Sequence, residues 1–209
     1  MRKMNPIPII KPVVLVIDMQ NDFCSDRGLL AKRGYFVGQM QKIVPNLLQF
    51  LSHVRAVGIP VAFIAAHYDR CYLTPTIAQR YKTAGLLGLC SEGTLGAELY
   101  GIKTDAGEPI FIKHRYDAFT SKAFSDWLAT IRAKTLILTG CQTDVCVDST
   151  ARSGFMKGYS IVAIEDCLAS LDIKSHKRAL DFMKTYYNAH VRNSRVPFRK
   201  LGTTGDCHV

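Results

Sequence analysis

Cys146 stands where a chain could expose a nucleophile. An apolar run, Thr135 to Leu138, breaks at Thr139-Gly140, and a helix-compatible stretch from Val145 to Lys157 comes after a short turn. This reads as strand, turn, helix, and it sets Cys146 in the helix's first turn. Thr143 or Asp144 is the expected N-cap, its side-chain oxygen accepting a backbone N–H. Free N–H groups and the helix dipole favour a thiolate there. A thiol with a free pKa of about 8.5 would then serve as a nucleophile near neutral pH. The plainer reading is inert packing, because free cysteines are among the most often buried residues. A nucleophile also needs a base, and the fold must bring one.

Two further residues share that structural address. Asp18 closes the apolar run Val13 to Ile17, and Lys113 closes Ile110-Phe111-Ile112. Singly, Asp18 reads as a loop cap and Lys113 as one more solvated lysine. In a parallel sheet the carboxyl ends of all strands lie on one edge, so the three side chains can converge. The chemistry they suit is acyl transfer. Asp18 would take the thiol proton, while Lys113 holds carboxylate and thiolate electrostatically. The thiolate would attack a carbonyl carbon to give a thioester-type intermediate, with backbone N–H groups at the turn cradling the oxyanion. Water would then release the acid. Gln20, Asn21 and Phe23 after Asp18, and Tyr116 and Phe119 after Lys113, are candidate substrate contacts, or else packing around the site.

The elements that must position these residues are legible as patterns. Val13 to Asp18 is an apolar, β-branched run fit for a strand buried on both faces. Gln41 to Val57 carries Val44, Leu47, Leu48, Leu51 and Val54 at helical spacing, with Pro45 expected near its first turn or at a kink. Gly58 ends it, and Ile59 to Ala66 reads as a second strand. Residues 67–108 form a long excursion with short helical pieces, the kind of segment that often carries function. Further strands are expected at Glu108 to Lys113, at 135–139, at Tyr159 to Ile164 and at Ala189 to Arg192. Helices lie between, at Ser121 to Ile131, Val145 to Lys157 and Lys174 to Asn188. Alternating strands and helices predict an α/β fold. The expected form is a doubly wound, mostly parallel six-stranded sheet with helices on both faces, as a single domain over residues 1–209. Small residues at Ser149, Thr150, Ala151, Ser153 and Gly154 would let the Cys146 helix approach the sheet closely.

Composition narrows the function classes. The net charge is +10, but the Lys and Arg residues are dispersed and no nucleic-acid recognition motif appears. The densest basic stretch, Arg192 to Lys200, reads as a solvated tail, and the overall potential as one that draws anionic substrates. No apolar run approaches the ~20 residues needed to span a bilayer. Prolines interrupt the stretch after the basic Met1 to Met4, so no signal peptide is read and a cytoplasmic protein is expected. Seven scattered cysteines with no C-x-x-C pair argue against a disulfide framework or structural zinc. Glycine-rich nucleotide motifs are missing. No cofactor and no metal are expected.

Four segments, in order, carry a family resemblance. Val16-Ile-Asp-Met-Gln-Asn-Asp-Phe23, Gly93-Thr-Leu-Gly-Ala-Glu-Leu99, Ile112-Lys-His-Arg-Tyr-Asp-Ala-Phe119 and Thr139-Gly-Cys-Gln-Thr-Asp-Val-Cys-Val-Asp-Ser-Thr-Ala151 resemble the isochorismatase-like cysteine hydrolases. The likeness runs from about Val13 to Val191. It implies the doubly wound fold and an Asp18, Lys113 and Cys146 triad. It also implies a cis peptide at Cys141–Gln142, an oxyanion hole from the N–H groups of Gln142 and Cys146, and a homo-oligomer, dimer or tetramer. True isochorismatases lack the nucleophilic cysteine. The nicotinamidases' Asp-x-His metal motif is not matched by Ala65-Ala-His-Tyr-Asp-Arg70, which leaves His67 as a loop or pocket residue. The segments after Lys113 and Asp144 look more like the branch that hydrolyses ureido, biuret or carbamoyl amides. The expected substrate is a small amide or ureido compound. A nicotinamidase-like deaminase and a non-catalytic binding or redox member are the alternatives.

Overall fold

The computed structural model describes residues 9–195. Met1 to Met4 and the basic stretch from Val196 onward lie outside the described residues. Six parallel strands form one sheet in the order β3-β2-β1-β4-β5-β6. They are β1 (Pro12–Ile17), β2 (Val61–Ala66), β3 (Ile110–Lys113), β4 (Thr135–Cys141), β5 (Ser160–Ala169) and β6 (His190–Arg192). The α-helices are α1 (Asn21–Cys24), α2 (Leu29–Lys32), α3 (Gly38–Ala56), α4 (Pro75–Thr83), α5 (Lys122–Thr130), α6 (Asp148–Met156) and α7 (Ile173–Tyr186).

Strand periodicity explains why both faces are covered. Successive side chains point to opposite faces of a sheet. In β1, Val14 and Val16 pack with Met40, Leu47, Phe50 and Leu51 of α3. Val13, Leu15 and Ile17 pack with Phe124 and Leu128 of α5, Ala151 of α6 and Leu180 and Met183 of α7. The same split recurs in β2, where Val61 and Phe63 face one way and Ala62 and Ile64 the other. Each fully buried aliphatic side chain contributes roughly 1.5–3 kcal/mol, and an unbroken apolar run in β1 therefore requires helices on both sides.

Three boundaries differ from the sequence reading. β4 does not break at Thr139-Gly140 but runs on through Cys141. Gly140 sits at φ 102, with a register shift against β5 between Leu138 and Gly140. The residue that looked like a strand breaker is an irregularity inside the strand. β5 extends to Ala169, beyond the apolar run that ended at Ile164. α3 begins at Gly38, so Pro45 falls past the first turn, inside the helix.

The excursion after β2 contains a 3-10 turn at Arg70–Tyr72, helix α4 and a second 3-10 turn at Leu95–Ala97. Asp22 ties it down. Its carboxylate accepts from Leu29 N (2.8 Å) and Cys90 N (2.7 Å), so one side chain joins α2 to the far end of the excursion. Gly96 lies against that carboxylate, where a Cβ would collide with it.

Candidate active site

Asp18 comes directly after β1, in the left-handed region at φ 51. Its backbone is held on three sides. Its N–H donates to Ile64 O (2.9 Å), and its carbonyl accepts from Gln20 N (2.8 Å) and Cys141 Sγ (3.1 Å). The neighbouring strand is pressed close at this point, because a Cβ on Gly140 would collide with the Ile17 backbone. Lys113 ends β3, two strands away. The intervening β2 ends in Ala65-Ala66 and offers only a methyl group at the register position beside Lys113. The ammonium reaches Asp18 Oδ2 at 2.8 Å, and both side chains are essentially solvent-free.

Cys146 completes the cluster. A π turn, Thr143–Val147, connects β4 to α6 and carries it. Lys113 Nζ lies 3.4 Å from Cys146 Sγ and also donates to Tyr68 Oη and the Arg115 carbonyl, each at 3.0 Å. The turn is locked by tertiary contacts. Val145 N and Val147 N both donate to Gln142 O at 3.1 Å. Thr150 Oγ1 donates to Cys146 O (2.8 Å) and accepts from Ala118 N (3.1 Å). The Cys141–Gln142 peptide is cis.

The expected N-cap is not formed. No side chain caps this turn or α6. Thr143 Oγ1 pairs with His176 Nδ1 (2.9 Å), and the Asp144 N–H is met by Ser170 Oγ (3.3 Å). Partners from the segment around α7 replace the local cap.

Electrostatics also correct the sequence reading of a standing thiolate. Burial raises the Cys146 thiol, and the Asp18 charge raises it further. The Lys113 charge opposes both, and the net result is a pKa of about 12. Asp18 is raised above an ordinary carboxylate by burial, against the pull of Lys113 and the Cys146 thiol. Burial works to lower Lys113, but Asp18 and Cys146 outweigh it and the ammonium is held. A first-turn dipole contributes a few tenths to about 1 kcal/mol, less than the cost of desolvating a thiolate here. The partners of the Asp18 carboxylate are the Lys113 ammonium, 2.8 Å from Oδ2, and the Cys146 thiol. The surroundings therefore favour a neutral thiol set beside the Asp18 carboxylate.

A cavity of about 150 Å³ opens over Cys146. Of the sequence-predicted contacts, Phe23 and Tyr116 line it, together with Gln142 of the expected oxyanion hole and Tyr68, Tyr81 and Leu171. Gln20 does not. Its amide is consumed in clamping β2 to the excursion, accepting from Ala66 N (2.8 Å) and donating to Ala66 O (3.0 Å) and Ala97 O (2.8 Å). Phe119 lies elsewhere too, its ring tilted against Phe124 and Tyr159 under Lys157. Tyr68 is the residue sequence reasoning missed. It is 1% exposed, and its hydroxyl lies 3.8 Å from Cys146 Sγ while accepting from Lys113. The signal was its place just past the end of β2, on the same sheet edge as Asp18 and Lys113. Where an Asp-x-His pair would begin, the chain has buried Ala65 and Ala66.

Comparisons with known proteins bear on the family and the fold. The isochorismatase domain model matches residues 12–195. The chain belongs to the isochorismatase family. Within it, ureidoacrylate amidohydrolase RutB of Yersinia enterocolitica is 30% identical over 202 residues, covering 87% of each chain. The structure of N-carbamoylsarcosine amidase from Thermoplasma acidophilum superposes with TM-score 0.74 at 26% identity, covering 89% of this chain and 98% of that one. Nicotinamidase PncA from Bacillus subtilis superposes with TM-score 0.72 at 27% identity, covering 88% and 100%.

Proposed function

We propose that this isochorismatase-family chain is a cysteine amidohydrolase that cleaves a C–N bond of a small ureido or carbamoyl substrate. The observation that carries the reading is the dry cluster of Asp18, Lys113 and Cys146, of which Cys146 lines a small cavity, with Lys113 Nζ 2.8 Å from the carboxylate and 3.4 Å from the thiol. Asp18 takes the proton as Cys146 attacks the carbonyl carbon, and the held ammonium of Lys113 stabilises the sulfur as it becomes anionic. The N–H groups of Gln142 and Cys146 receive the oxyanion. Asp18 then returns the proton to the leaving nitrogen, and water cleaves the carbamoyl or acyl thioester. Tyr68 is a positioning residue: it accepts from Lys113 and keeps the ammonium between its two partners.

Relatives named for ureidoacrylate and N-carbamoylsarcosine support the substrate class. The nicotinamidase likeness supports a second reading, deamination of nicotinamide. The apolar Ala65-Ala66 pair disfavours it, since a first carboxylate is lacking there. The proposal includes a homo-oligomer, dimer or tetramer. Exposed Phe155, Met156 and Tyr186 on α6 and α7 are in keeping with one. It also includes a cytoplasmic setting, which suits the free thiols of the six described cysteines.

The test is ammonia release across ureidoacrylate, biuret, N-carbamoyl amino acids, nicotinamide and maleamate. A carbamate product breaks down to ammonia and is counted in the same assay. Cys146→Ala should remove turnover by several orders of magnitude while circular dichroism and melting stay near wild type. Wild-type-like turnover in Cys146→Ala would sink the mechanism. Turnover of nicotinamide alone would select the second reading.

A further inference from the structure

The cavity has a charge asymmetry. Cys146 lines it, and behind Cys146, outside the lining, the buried Asp18–Lys113 ion pair sums to zero. Its walls are aromatic and aliphatic, with the Gln142 amide and the tyrosine hydroxyls as polar groups. Among the lining residues one side chain is charged at neutral pH: Arg80, on α4. Arg80 is exposed, and its guanidinium makes no ion pair or hydrogen bond with any described residue. Tyr35 and Tyr116, each more than a third exposed, stand with it on the cavity wall. A permanently charged fork facing a cavity with no described counter-charge is matched by an anion, and the planar guanidinium matches a carboxylate in particular.

We propose that Arg80 is a specificity-determining residue that binds the carboxylate of a ureido or carbamoyl acid at the mouth of the cavity. This rests on the amidohydrolase reading and deepens it. The substrate is an anion with two ends, its carbonyl at Cys146 and its acid at Arg80, rather than a neutral amide. A small cavity of about 150 Å³ keeps the two ends only a short chain apart.

The experiment pairs 3-ureidoacrylate with its methyl ester, which differ in one charge, and measures ammonia release. Wild type should favour the acid. In Arg80→Met the acid-to-ester ratio of kcat/KM should fall roughly ten- to a hundredfold, the scale of one lost charge-assisted hydrogen-bonded pair. The loss should appear in KM for the acid, with partial recovery in Arg80→Lys. A second arm titrates 3-ureidopropionate into Cys146→Ala and into Cys146→Ala/Arg80→Met by calorimetry. Binding that is lost with Arg80 supports the assignment even if no probe is turned over, in which case the amidohydrolase reading alone fails. An unchanged acid-to-ester ratio, a wild-type preference for the ester, or binding indifferent to Arg80 overturns it. So does the absence of any binding in Cys146→Ala.

Discussion

The proposed nucleophile, Cys146, lies in surroundings that favour its neutral thiol. Burial and Asp18 raise Cys146 to about 12, so almost none of it is thiolate near pH 7. Exposed Cys71 has no such constraint on access. Iodoacetamide at pH 7 should therefore label Cys71 well before Cys146, as read by peptide mass spectrometry. Faster labelling of Cys146 would restore the standing thiolate expected from its helical position. The same picture sets a pH dependence. In the proposed mechanism Asp18 must be ionised to take the proton, and its pKa is raised, chiefly by burial. As pH falls through that raised value the base is lost. The acid limb of kcat/KM should thus break above the ordinary carboxylate value of about 4. A profile flat down to pH 4 would contradict this.

At the scale of elements, strand ends aim the chemistry and one glycine lets them meet. β1 and β4 run side by side with Ile17 opposite Gly140, immediately before Asp18 and Cys141. A Cβ at Gly140 would lie 2.7 Å from Ile17 N, and φ 102 is unfavourable for any L side chain. Gly140→Ala should destabilise the protein by roughly 2 kcal/mol or more, and it should lower kcat by displacing Asp18. Urea denaturation and steady-state kinetics on the same preparation check both. Stability within about 0.5 kcal/mol of wild type, the scale of a neutral surface change, would show that the strands can part. The order of strands and helices was legible in the sequence because period-two and period-3.6 patterns record which side is buried. The course of β4 through Gly140 was not, because a glycine that ends a strand and one that is pinned within it look alike without the neighbouring strand. The cap at Thr143 failed for a related reason: a local hydrogen bond competes with a distant one, and only the folded chain brings His176 within reach.

Across the whole molecule, two histidines link stability to pH. Burial lowers His176, against the raising influence of Glu165 and Asp144, and burial with Arg192 lowers His190. A histidine whose folded pKa lies below its unfolded value of about 6.5 contributes fully above that value. As pH falls below about 6.5 the unfolded chain takes up protons that the folded chain refuses, and stability drops. Melting temperature should decline from pH 7.5 to 5.5. The decline should be smaller in His176→Asn, which removes the titrating group while retaining a hydrogen-bonding side chain beside Thr143. Equal declines in both proteins would remove His176 from the account. The order of amino acids alone specified the α/β class and pointed to Asp18, Lys113 and Cys146 at or just after strand ends, because local periodicity and residue chemistry are properties of the chain. Folding settled which candidates share the cavity, turning Gln20 into a clamp and Phe119 into packing and bringing in Tyr68 and Arg80. It also raised the Cys146 thiol, because desolvation and the distances to Asp18 and Lys113 exist only once distant segments are packed together.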